Sequence, residues 1–277
     1  AVTLVFLLPE MTNSTLIFDR IIWKKMMVYA LPLLIAGLAG MTNETIDRVL
    51  LKQLLPNPEA ATFELGLYGA FYKLSIIMVL FVQTFRFAAE PFFFAQHHQR
   101  ENKQVYADVM KYFIIVMIVI FLTVVVFYDF VIGFLGTAYH DERGFLVVSI
   151  LLLANLFLGI FYNLSIWYKL IEKTVFGAYL SIFGAIITLL LNFILIPKIG
   201  FIGSAWATLA CYFSMSLASY FLSKKHFPIP YQFSRILLYL FAMLVIYGII
   251  FITHLNIAIN TLFLLGFIIF AYLLEKP

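Results

Sequence analysis

Eight polar residues interrupt two apolar stretches early in the chain, and their spacing sorts them into groups. Asn43, Glu44, Asp47 and Arg48 close the first stretch. Asn43 and Asp47 are four residues apart, as are Glu44 and Arg48, so on a helix each pair shares a face. Lys73, Gln83, Arg86 and Glu90 lie in the second stretch, with Pro91 next. Gln83, Arg86 and Glu90 follow at intervals of three and four, which makes one polar stripe. A guanidinium fits two phosphate oxygens with its planar fork, and an ammonium acts as a point charge. A carboxylate can hold either cation or exchange a proton. Together these side chains suit the lining of a polar cavity. Simpler readings stay open. The acidic residues can end a helix at a membrane surface, and Arg86–Glu90 and Lys73 can snorkel to opposite surfaces.

No nucleophile–base pair, glycine-rich phosphate loop or His/carboxylate metal cluster appears in the sequence, so no enzyme chemistry and no cofactor is expected. The single cysteine, Cys211, has no internal partner for a disulfide. A net charge of +4 is no nucleic-acid signal. The sequons at Asn13, Asn43 and Asn163 read as chance matches, and His97-His98 as solvated.

The elements that must position these residues are membrane helices. Of 277 residues, 64% are hydrophobic and 12% charged, against roughly 25% charged in soluble proteins. Mean hydropathy is +1.02. That excludes a soluble globular domain, and it excludes disorder. Eight runs are long enough to span a bilayer: 26–45, 66–91, 109–135, 145–168, 175–196, 201–222, 236–253 and 257–274. They are continuous rather than alternating, so they predict an all-α polytopic bundle and not a barrel. Pro56-Asn57-Pro58, the polar run His97–Lys103, Pro197-Lys198-Ile199-Gly200 and Pro228-Ile229-Pro230 mark the breaks. An ionisable group buried within such spans faces protein or a water-filled cavity. Spans seven and eight carry no charge between Ile236 and Leu274, which favours a polar cavity beside spans one and two.

The loops are charged asymmetrically. Arg20, Lys24, Lys25, Arg100, Lys103, Lys111, Lys169, Lys173, Lys224, Lys225, Arg235 and Lys276 fall on one set of alternate loops. Arg48, Lys52, Arg143 and Lys198 fall on the other. The positive-inside rule places the first set, and the C-terminus, in the cytoplasm. Ala1–Leu8 is apolar but reaches only about 12 Å at helical rise. It reads as the tail of a preceding helix, and the chain as the C-terminal part of a longer protein.

The segment from Leu191 to Thr208, with Asn192, Pro197, Gly200, Gly203, Ala205, Ala207 and Thr208, reads first as a helical hairpin. Asn192 and Pro197 close one helix, the glycines reverse the chain, and small residues let the next helix pack closely. The same string resembles the "N…P..G..G.A.AT" hairpin of the polysaccharide-biosynthesis (Wzx-type O-antigen) flippases, from the superfamily that also holds the MATE drug antiporters. Pro32 through Pro56, with Gly37, Asn43, Asp47 and Arg48, is similar to that family's seventh helix, and Leu67-Tyr68-Gly69-Ala70-Phe71-Tyr72-Lys73-Leu74 to the start of its eighth. The resemblance covers nearly the whole chain. It implies a remnant at 1–8, a six-helix C-terminal lobe at 20–222, two extra helices at 223–277, and a missing N-terminal lobe as partner. It also implies a bacterial inner-membrane protein that flips polyprenyl-pyrophosphate-linked oligosaccharide (lipopolysaccharide or O-antigen type), driven by H+ or Na+. On that reading Arg86, Lys73, Gln83 and Asn43 contact substrate, and Glu90, Asp47, Arg48 and Glu44 serve coupling or gating. An ion-coupled small-molecule antiporter, an integral-membrane glycan enzyme and a structural subunit are the alternatives. Lys73 and Arg86 argue against the first, and short outer loops against the second.

Overall fold

The computed structural model describes residues 18–97, 103–136, 139–253 and 256–276. The expected remnant at 1–8, the first sequon, His98 and His254 lie outside these residues. Among these residues ten helices follow one another: α1 (Arg20–Leu54), α2 (Pro58–His97), α3 (Lys103–Val126), α4 (Tyr128–Gly133), α5 (Gly144–Leu164), α6 (Ile166–Leu170), α7 (Val175–Ile199), α8 (Phe201–His226), α9 (Phe233–Thr253) and α10 (Ile257–Glu275). Among the described residues there is no strand. With α5 and α6 taken as one span, eight helices among the described residues are long and apolar enough to cross a membrane. This is an all-α, multi-pass membrane bundle.

Most helices outrun their apolar cores, because polar turns at the ends continue the hydrogen-bond ladder. Asp19 caps α1, its carboxylate accepting from Ile21 N at 2.7 Å and Ile22 N at 3.2 Å. Asn57 does the same for α2, accepting from Glu59 N at 2.9 Å, and Pro58 fills the first helical position. The Pro56-Asn57-Pro58 break is thus a helix start as much as a loop. α1 runs through Pro32, α2 through Pro91 and α7 through Pro197. Asn192 and Pro197 therefore do not close α7, as the motif suggested; Gly200 does. Its φ of +60° is the left-handed value that glycine adopts without strain.

Helix α5 is the centre of the bundle. It packs on α2, α3 and α8, and most of its side chains are buried. α7 and α8 form a tight hairpin, where a Cβ on Gly203 would stand 2.7 Å from the Leu195 carbonyl carbon. Ser204 Oγ donates to Asn192 Oδ1 at 3.0 Å across that hairpin, and both side chains are buried. α9 and α10 pack on each other and on α3. α1 lies along α7 and is buried only from Asn43 onward, at Asn43, Asp47, Leu50 and Leu51. No residue in its most apolar 18-residue window is buried.

The bundle has two ends. Tyr29–Thr174, Glu90–Lys169 and Lys111–Glu275 contacts lie at the end holding most of the basic loop residues, here the basic end. Arg143, Glu64 and Phe201 meet at the opposite end.

Candidate functional site

The stripe expected on α2 forms, and it finds a partner on another helix. Glu90 Oε1 accepts from Arg86 Nε at 2.9 Å, one turn back on α2. The same oxygen accepts from Lys169 Nζ. Lys169 was counted among loop charges. It lies instead on the short helix α6 and is only 9% exposed. The local reason is a break at Ser165, whose hydroxyl turns back onto the Tyr162 carbonyl at 2.7 Å. The break starts a fresh turn that carries Lys169 inward. Lys111, also counted as a loop charge, is buried within α3 and paired with Glu275.

From this cluster a polar track runs towards α1. Arg86 Cζ lies 4.7 Å from the Tyr162 ring centroid on α5, a cation–π contact. Gln83 reaches the Tyr162 hydroxyl as well. Glu44 lies within electrostatic reach of Tyr162, Tyr72 and Tyr212, which come from α5, α2 and α8. Arg48 Cζ sits 4.5 Å from the Tyr72 ring centroid. Gln83, Arg86 and Glu90 are thus brought together with Lys169 and Tyr162, while Glu44 and Arg48 meet Tyr72 further along α2.

The other three expected residues are elsewhere. Asn43 and Asp47 occupy the neighbouring face of α1 and are 3% and 1% exposed. Asp47 Oδ2 accepts from the Tyr68 hydroxyl on α2, and its Oδ1 accepts from Arg48 N at 2.7 Å. Neither amide atom of Asn43 has a hydrogen-bond partner among the described residues. Asp47 thus ties α1 to α2, within electrostatic reach of Tyr72 as Glu44 is, and Asn43 is buried beside it. Lys73 is exposed, on a face shared with Ile77, Leu80, Thr84 and Phe87. Thirteen residues separate it from Arg86, a rotation of about 220° on a helix. The expectation that one cavity presents both Lys73 and Arg86 is therefore corrected: the two point to different sides of α2.

Comparisons with protein families, with curated proteins and with solved structures return no match for this chain.

Two further clusters hold helix ends. At the end opposite the basic one, Arg143 forks onto Asp141 at 2.9 Å through both Nε and Nη2 and reaches Glu64 Oε1 at 2.7 Å through Nη1. Glu64 Oε2 accepts from Phe201 N at 3.0 Å, serving one of the unpaired donors at the start of α8. Hydrogen bonds from Arg143 hold the Asp141 carboxyl below its ordinary range. At the basic end, Glu275 gathers Lys111, Arg235 at 3.0 Å and the Tyr239 hydroxyl at 2.7 Å, which pins α9 and α10 to α3. Among the described residues no group of three His, Cys, Asp or Glu side chains is placed to hold a metal ion.

Sequence reasoning missed Lys169 and the tyrosines. Lys169 did carry a signal: it is the one charge in the otherwise apolar run Ile166–Leu170. Tyr72, Tyr162 and Tyr212 carried none, because nothing in 16 tyrosines marks which three converge.

Proposed function

We propose that this chain moves a phosphate-bearing lipid across a membrane, as the flippases it resembles move polyprenyl-pyrophosphate-linked oligosaccharide. The observation that carries this reading is the pairing of Arg86 and Lys169 around one half-exposed carboxylate, Glu90, within apolar helices. Two cations against one anion leave a net positive charge among apolar helices, with Lys169 buried. That is a costly arrangement unless an anion uses it. Arg86 contributes a fork suited to phosphate oxygens, and Lys169 a point charge. The tyrosine-lined track from Arg86 to Glu44 and Arg48 offers hydroxyls suited to a polar head group along the way. On this reading the basic end faces the cytoplasm, in line with the positive-inside rule. Glu44 and Glu90 are the groups able to exchange a coupling H+ or Na+.

A second reading rests on Glu44. A carboxylate among Tyr72, Tyr162 and Tyr212 suits an organic cation, which is the cargo of an ion-coupled antiporter. Arg48, already over the Tyr72 ring, opposes it.

The test is accumulation of inward-facing lipid-linked glycan in cells producing each variant at equal membrane levels. Arg86→Ala is expected to abolish export and Arg86→Lys to impair it. Normal export by Arg86→Ala sinks the phosphate reading. Retained export together with lost resistance to a cationic dye in Glu44→Gln favours the antiporter.

A further inference from the structure

We propose that Glu90 is the built-in occupant of an anion site walled by Arg86 and Lys169, and that a phosphate or diphosphate group displaces it. This rests on the phosphate-bearing cargo proposed above and adds how the site is kept closed without it.

Three observations carry the inference. First, both cations converge on one oxygen: Glu90 Oε1 takes Arg86 Nε and Lys169 Nζ. One carboxylate oxygen thus fills the point where the two cations meet, where a phosphate oxygen would bind. Second, the three side chains differ in exposure. Arg86 and Glu90 are 35% and 31% exposed, and Lys169 is 10% exposed. Glu90 is therefore accessible to an arriving anion, whereas Lys169 cannot recover water when Glu90 leaves. An unpaired buried ammonium is strongly unfavourable. Glu90 is thus held in place until another anion takes over its charge, so opening is coupled to arrival. Third, an approach exists. A groove of about 1360 Å³ at the basic end is lined by Arg20, Lys24, Lys25, Tyr29 and Glu172 among others. The Tyr29 hydroxyl lies within electrostatic reach of both Glu172 and Glu90, so the groove adjoins the cluster. Its three basic residues would draw an anion towards Arg86 and Lys169.

The exchange breaks no covalent bond. The carboxylate leaves both cations, and phosphate oxygens take its place. The site then holds one negative charge more if the group is a dianion, and the cations in the groove offset it.

The experiment uses the full chain in nanodiscs of zwitterionic lipid, with two probes: inorganic pyrophosphate in solution, and farnesyl diphosphate in the bilayer. Removing a like charge from contact distance should tighten binding, so Glu90→Gln is expected to bind at least about fivefold tighter than the parent. Arg86→Ala and Lys169→Ala are expected to bind at least about tenfold more weakly, and Glu59→Gln, exposed at the far end of α2, as the parent does. Equal gains with both probes assign recognition to the diphosphate alone; a gain confined to farnesyl diphosphate assigns it to the lipid-borne group. If the parent binds in an Arg86-dependent way and Glu90→Gln binds no tighter, Glu90 is a permanent tie. The proposal then falls while the phosphate reading stands. If no probe binds the parent or Glu90→Gln, both fall. Should Glu90→Gln fail to fold, the parent protein decides. Carbodiimide labelling of Glu90, read by mass spectrometry, should rise several-fold with pyrophosphate. Unchanged or reduced labelling overturns the displacement.

Discussion

Tyr68 donates its hydroxyl to Asp47 across the α1–α2 interface, where the two residues are 0% and 1% exposed. A carboxylate this deeply buried is tolerated only while its oxygens are bonded, and here the phenol and the Arg48 amide bond one each. Tyr68→Phe should strand Oδ2 and cost about 2–4 kcal/mol. Asp47→Asn keeps an acceptor for the phenol and should cost less than half as much. Thermal unfolding in one detergent checks both. Equal losses would show that the contact is packing rather than satisfaction of a buried charge.

Gly200 faces two constraints at once. Its φ is +60°, and a Cβ there would stand 2.3 Å from Glu64 Oε2. Gly200→Ala should therefore destabilise by about 1–3 kcal/mol. Glu64 must move, so the bond to Phe201 N is lost with it. The doubly substituted Gly200→Ala, Glu64→Ala should lose less than the sum of the two single changes, a non-additivity that a thermal double-mutant cycle measures.

Acid should loosen the end that carries Arg143. The Asp141 carboxyl is depressed by its hydrogen bonds from Arg143. A depressed acid stabilises the fold above its unfolded pKa, near 4, and loses that contribution as pH falls through the lower folded value. The melting temperature of the parent should thus drop more steeply below about pH 4 than that of Asp141→Asn. The difference should be small, under about 1 kcal/mol, because the pair is partly solvated. Identical pH profiles would remove Asp141 from the account.

Lys73 and Lys169 should separate in a transport assay. Lys73 is exposed on the far side of α2 from Arg86, and Lys169 shares an oxygen with it through Glu90. Lys73→Ala should leave export within about twofold of the parent, and Lys169→Ala should reduce it by tenfold or more. The reverse order would place the cargo on the opposite face of α2.

The helices were legible because membrane spans declare themselves in hydropathy, and the eight stretches each hold one spanning helix. Their ends were less legible. Asn57 and Asp19 cap helices through side chains whose role depends on backbone donors that the sequence does not display. The Gln83–Arg86–Glu90 stripe was visible because its spacing is local. Lys169 was misread because 79 residues separate it from Glu90 and no periodicity spans that distance. Lys73 was grouped with Arg86 because both charges lie within one span, and helical rotation decides which side of α2 a residue serves.

Glu64 has a consequence for movement. One of its oxygens holds Arg143 and the other holds the first amide of α8, so a single side chain latches the starts of α2, α5 and α8. At the basic end the first turns of α1 stand along a wide groove with none of their side chains buried. The bundle is therefore fastened at one end and, at the basic end, ajar only beside α1, since Glu90 and Glu275 tie the other helices there. Helices pivoting about the fastened end would part at the groove first, and the reverse motion requires one carboxylate to let go of two helix starts together.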